Sequence, residues 1–113
     1  METTALTYEQ VAGDRNIDAT ALYLYCDNHH ITLTENNVDD VEYDFEESFE
    51  GVYDSLADFG QDKHYWLTQD TPNAQVPASL SRYVDWEAYA ENELRHDWWW
   101  AVREGNLYVF LSI

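Results

Sequence analysis

The chain has 113 residues, 45% hydrophobic and 16% aromatic, enough for one domain, or two very small ones sharing a core, with ample material to bury. Its formal charge is −18, from 23 acidic and 5 basic side chains; this disfavours nucleic acid and anionic membranes as partners and points to a basic surface. Cys26 is the only cysteine, which excludes an internal disulfide; the start METTALTYEQ lacks a signal peptide's basic and apolar regions, and no stretch approaches the roughly 20 apolar residues of a membrane span, so the expectation is a soluble cytoplasmic protein.

Residues 1–17 show little periodicity and read as a loosely held N-terminal segment. In DATALYLYCDN, Ala21, Leu22, Tyr25 and Cys26 recur at helical spacing behind an Asp18 cap, predicting a helix to about Asn28. The leucines and tyrosines of ALYLYC also alternate as a strand would. HHITLT reads as a loop or short extended segment.

From Val38 to Asp62 the chain runs VDDVEYDFEESFEGVYDSLADFGQD, with no basic side chain between Arg15 and Lys63. Val38, Val41, Phe45, Phe49, Val52, Leu56 and Phe59 recur at intervals of three and four, the stripe of an amphipathic helix facing a core. Asn37 is a candidate cap, Gly51 suits a helix interior poorly, and Ser55-Leu56-Ala57-Asp58 has the form of a capping box. The prediction is two helices, about 38–50 and 55–62. Their polar faces would carry Glu46, Glu50, Asp54, Asp58 and Asp62 spaced by four, with Asp40, Asp44 and Glu47 as a neighbouring row.

KHYWLTQDTPNAQVPASLSRY holds both prolines and reads as a linker into a short helix. DWEAYAENEL predicts a helix capped by Asp85, with Trp86, Tyr89, Ala90 and Leu94 on one face. WWWAV and LYVFLSI read as a hairpin turning at Gly105-Asn106, where Gly105 supplies positive φ. The order implies an α+β fold: several short acidic helices packed with a C-terminal β-hairpin or small antiparallel sheet. The regions are 1–17, an acidic helical region 18–66, and a helix with an aromatic hairpin 67–113, forming one unit or two small subdomains.

Catalysis by a carboxylate pair needs two carboxyls at a set separation with split pKa values, and among 23 acids some pair always has suitable spacing, so no catalytic residue is assigned. Cys26-Asp27-Asn28-His29-His30 lacks the second spaced ligand pair of a zinc site, and no calcium loop, Gly-rich phosphate loop, GxSxG or CxxC is present; neither metal nor cofactor is expected. On an alternating strand Trp98 and Trp100 share a face opposite Trp99, so these three are candidates for core and for a dimer interface. The acidic faces read plainly as a solubilising surface. They also read as a mimic of duplex DNA, which carries one negative charge per roughly 1.7 Å.

FEESFEGVYDSLADFGQD resembles the F-E-x-x-[YF]-x-G-x-Y-D-S-x-x-D-F segment of ArdA-type antirestriction proteins, and VPASLSRYVDWEAYAENEL resembles their I-P-x-x-L-x-x-Y-x-D-[YW]-E-A-Y-A-x-x-L segment. The likeness spans roughly residues 18–111 and is to the central and C-terminal portions of a commonly longer family. It implies a non-enzymatic DNA mimic from a phage or mobile element, usually dimeric, that occupies the DNA-binding cleft of type I restriction–modification enzymes. The phosphate-like residues would be Asp39, Asp40, Asp44, Glu46, Glu47, Glu50, Asp54, Asp58 and Asp62, extended by Glu87, Glu91 and Glu93. The alternative is an acidic adaptor or inhibitor of another basic DNA-binding protein, such as a CRISPR effector or histone-like regulator.

Overall fold

The computed structural model describes residues 5–112, whose chain order is four helices with one strand among them, two short helices, and two further strands. It is α+β, as the sequence implies. The chain divides into two compact units, one ending at Glu50 and the other spanning Gly51–Ser112.

The first unit holds α1 (Tyr8–Arg15), α2 (Ala19–Asn28) and α3 (Val38–Ser48). Helix α1 lies within the segment expected to carry little regular structure; residues 1–4 of that segment lie outside the described residues. Its cause is a full capping box, the Gln10 amide donating to Thr7 Oγ1 and the Thr7 amide to Gln10 Oε1, each at 3.1 Å. Asp18 caps α2 as expected, accepting from the Ala21 amide at 3.0 Å, and the helix buries Ala21, Leu22, Leu24, Tyr25 and Cys26. Helix α3 adds Val38, Val41 and Phe45 to this core, with the Phe45 ring edge-on to Tyr25 at 5.7 Å.

Asn37 precedes α3 but its side chain does not cap it. The carboxamide instead accepts from the Thr34 amide and donates to the Thr32 carbonyl, both at 2.8 Å, so it braces the preceding turn. The helix stops at Ser48 because Phe49–Tyr53 form strand β1, with Gly51 at φ 149°. The three-and-four spacing of Phe49 and Val52 was therefore not helical: aromatic and β-branched residues around a glycine took the extended state.

In the second unit, α4 (Leu56–Leu67) starts on Ser55, whose hydroxyl accepts from the Asp58 amide at 3.1 Å. It runs five residues past the predicted end because Lys63 and His64 are buried, the His64 Nε2 accepting from the Val76 amide at 3.1 Å. A 3₁₀ turn (Pro72–Ala74) and α5 (Ala78–Ser81) follow, then α6 (Trp86–Tyr89), capped by Asp85 through the Ala88 amide and continued by a π-helical turn over Ala90–Leu94.

Strands β2 (Trp98–Arg103) and β3 (Asn106–Leu111) pair antiparallel from Trp98 opposite Leu111 to Arg103 opposite Asn106, and β1 flanks β3. The turn is Glu104-Gly105, one residue earlier than expected, with both residues at positive φ, 51° and 81°. That is the signature of a two-residue turn whose twist matches the strands. The core of this unit is Phe59, Ala90, Leu94, Trp98, Leu107 and Val109. Helices α4 and α6 touch at Gly60, where a Cβ would lie 2.3 Å from the Trp86 carbonyl oxygen.

Candidate acidic binding surface

Amphipathic α3 carries the acidic face of the first unit. Its buried stripe turns Asp39, Asp40, Asp44, Glu46 and Glu47 to solvent and leaves Glu42 half-buried. The fold supplies one cation that the local sequence lacks: Arg15, at the last turn of α1, pairs through Nη1 with Asp39 Oδ1 at 2.8 Å and with Glu42 Oε2. Asp39 is thus partly neutralised. Asp40, Asp44, Glu46 and Glu47 have no basic group within salt-bridge distance among the described residues. Exposed Tyr43 lies among them, 65% accessible.

The predicted row Glu46, Glu50, Asp54, Asp58 and Asp62 is not one helix face. Glu50 sits half-buried on β1 and Asp54 in the following loop, while Asp58 and Asp62 are exposed on α4. Asp62 accepts a hydrogen bond from the Tyr53 hydroxyl at 3.2 Å. Burial, reinforced by Asp62, pushes the Tyr53 phenol up to about 12. Glu87 on α6 and Glu91 and Glu93 on the π-helical turn are exposed.

The remaining cations are held against aromatic rings or kept at the hairpin. Lys63 is buried with Nζ 4.6 Å from the Trp66 ring and 5.6 Å from that of Trp98, and desolvation lowers its pKa. Arg82 lies over Tyr83 at 4.9 Å and Arg95 over Trp100 at 5.3 Å, while Arg103 ends β2. Lys63 and Trp66 are an i,i+3 pair on α4 and Arg82 and Tyr83 are adjacent, whereas the contacts of Lys63 with Trp98 and of Arg95 with Trp100 join different elements and follow from no spacing rule.

The tryptophan triplet divides as alternation implies. Trp98 is buried in the core with Trp100 packed against it, and Trp99 stacks on Phe110 across the hairpin at 4.2 Å and 11°. The buried Trp98 indole N–H has no acceptor among the described residues. Cys26 is fully buried, which raises its thiol to about 11, and His29 and His30 are exposed. Among the described residues no group of three or more His, Cys, Asp or Glu is placed to hold a metal ion.

A family model described as antirestriction protein (ArdA) matches residues 3–105, beginning well before the likeness visible by eye at residue 18. No curated protein and no solved structure matches the chain.

Proposed function

Since this chain belongs to the ArdA family of antirestriction proteins, which inhibit restriction enzymes, we propose that it acts as a DNA mimic, filling the DNA-binding cleft of a type I restriction–modification enzyme with carboxylates. Family members are inhibitors rather than enzymes, so the inhibition proposed needs no catalytic residue. The observation that carries the reading is α3: Asp40, Asp44, Glu46 and Glu47 exposed on one short rigid element with no cation among them. At about 1.5 Å rise per residue the four span about 10 Å of the helix axis, one charge per about 3.5 Å, comparable to the charge spacing along one strand of a duplex, about 3.4 Å. A merely solubilising surface has no need of that fixed geometry. The site of action is the cytoplasm of the cell that holds the target, and the gene belongs to a phage or mobile element whose DNA is thereby protected. A two-fold copy would lengthen the acidic face, and a dimer through the face of β2 that carries half-buried Trp99, opposite the face that packs Trp98 and Trp100 on the core, is part of the proposal, checked by light scattering at micromolar concentration.

The test is displacement of a labelled duplex from a type I enzyme, followed by fluorescence anisotropy at several salt concentrations. Competitive displacement that weakens as salt rises is expected. The variant Asp40→Asn/Asp44→Asn/Glu46→Gln/Glu47→Gln should lose it, whereas each single change should cost little, because an exposed charge contributes modestly. A folded quadruple variant with undiminished inhibition would exclude the mimic. Displacement of duplex from a different basic DNA-binding protein, and not from this enzyme, would move the target.

A further inference from the structure

We propose that the cleft between α6 and the hairpin receives one protruding arginine side chain of the partner protein. The inference rests on the reading that this surface meets a cation-lined cleft, and adds a discrete anchor to a diffuse field. The cleft has a volume of about 260 Å³ and its lining includes Asp54, Glu87 and Glu91 with Trp100, Val102 and Leu107. That is below the roughly 300–1,000 Å³ of small-molecule sites, and suits a single side chain.

The three carboxylates are exposed and none has a basic partner among the described residues. An indole and the aliphatic side chains of Leu56, Val102 and Leu107 line the same space, so it is not a solvated acid cluster: it offers apolar surface to a side-chain stem and negative charge to its head. Charge complementarity selects a cation. The combination of a flat ring with several carboxylates selects guanidinium over ammonium, because the planar fork stacks on aromatic faces and meets carboxylates in a bidentate way. Trp100 already carries such a contact with Arg95, and the two line a second cavity with Trp98, Trp99 and Ser112, so Trp100 borders both spaces.

The experiment titrates the intact protein with acetyl-Gly-Arg-Gly-amide and with its lysine counterpart, following the Trp100 indole N–H and the Gly105 and Asn106 amides by NMR. Saturable shifts at these three groups are expected, several-fold tighter for the arginine peptide. Glu87→Gln/Glu91→Gln should weaken binding at least five-fold. Glu9→Gln/Glu35→Gln, which removes the same charge elsewhere, should weaken it less than two-fold. Equal loss in the two variants, equal binding of the two peptides, or shifts without saturation at the cleft would each overturn the proposal. Because no restriction enzyme is present, failure here leaves the mimic reading standing, and failure of duplex displacement with intact arginine binding removes only the mimic reading.

Discussion

Gly60→Ala tests the scaffold that carries Glu87 and Glu91. In an exposed helix the change would stabilise by about 1 kcal/mol, because alanine loses less backbone freedom on folding. Here the new methyl would lie 2.3 Å from the Trp86 carbonyl oxygen, 3.2 Å from its carbon and 3.4 Å from the Ala90 Cβ. The obstacle at 2.3 Å is main chain and cannot rotate away, so α4 and α6 must separate and loosen Phe59, Ala90 and Leu94 between them. Overpacking of this kind costs about 1–3 kcal/mol, and a backbone clash belongs at or above the upper end. Net destabilisation of about 2 kcal/mol remains after the propensity gain, or about 8 °C in Tm for a chain of this length. Gly13→Ala on α1 is the control: nothing lies within 4 Å of its Cβ position, and Tm should rise by up to about 4 °C. Thermal unfolding by circular dichroism reads both. A Gly60→Ala protein as stable as the parent would refute the close approach of α4 and α6.

Three further outcomes are expected. Cys26, buried and raised to about 11, should resist a disulfide reagent at pH 8 in the folded protein and react fully in denaturant; labelling at the rate of a free thiol would show that α2 is open. Tyr53, held near 12 against its ordinary 10, keeps its proton in the folded state where the unfolded chain has lost it, so its contribution to stability is complete below pH 10 and falls as pH rises towards 12. Urea midpoints across that window should decline, less steeply in Tyr53→Phe; an identical slope would remove Tyr53 as a cause. Glu104 is a non-glycine residue at φ 51° in the hairpin turn, and Glu104→Asn, better suited to that conformation, should raise stability by up to about 1 kcal/mol, measured by thermal melting, with no gain if the turn is otherwise.

What was legible in the sequence was what local rules govern. The Asp18, Ser55 and Asp85 caps, the stripe Val38-Val41-Phe45 and the alternating aromatics of β2 follow from hydrogen-bond offsets and periodicity, and each stands where expected. The misreadings lie where two local states compete. Phe49 and Val52 fit a helical period and also fit a strand, and pairing within the sheet decided for the strand. Asn37 had two sets of backbone groups within reach and served the preceding turn. For the candidate surface, the carboxylates of α3 could be read in advance, but Arg15 reaching across to Asp39 and Glu42 and the cleft of Asp54, Glu87 and Trp100 could not. Those depend on residues far apart in sequence being brought together.

The magnitudes explain how α3 tolerates its own charge, and they yield a discriminating sign. Asp40/Asp44, Glu42/Glu46 and Asp44/Glu47 are each one turn apart, about 6 Å, and in water two like charges at that distance repel by about 0.7 kcal/mol before screening, or about 2 kcal/mol for the three. Glu42 is partly relieved by Arg15. On the opposite face Val38, Val41 and Phe45 are 6%, 7% and 2% exposed, and burying side chains of this kind yields about 1.5–3 kcal/mol each. Burial therefore exceeds repulsion by a wide margin, and the helix forms without interleaved lysines. Added salt shortens the Debye length to about 3 Å at 1 M, which removes the repulsion and leaves the burial intact. Folding should become more stable with salt while displacement of DNA becomes weaker, two effects of one array with opposite sign. A solubilising surface would show the first without the second; a protein whose stability also fell with salt would owe its lost inhibition to unfolding, and the charge array would no longer be the cause.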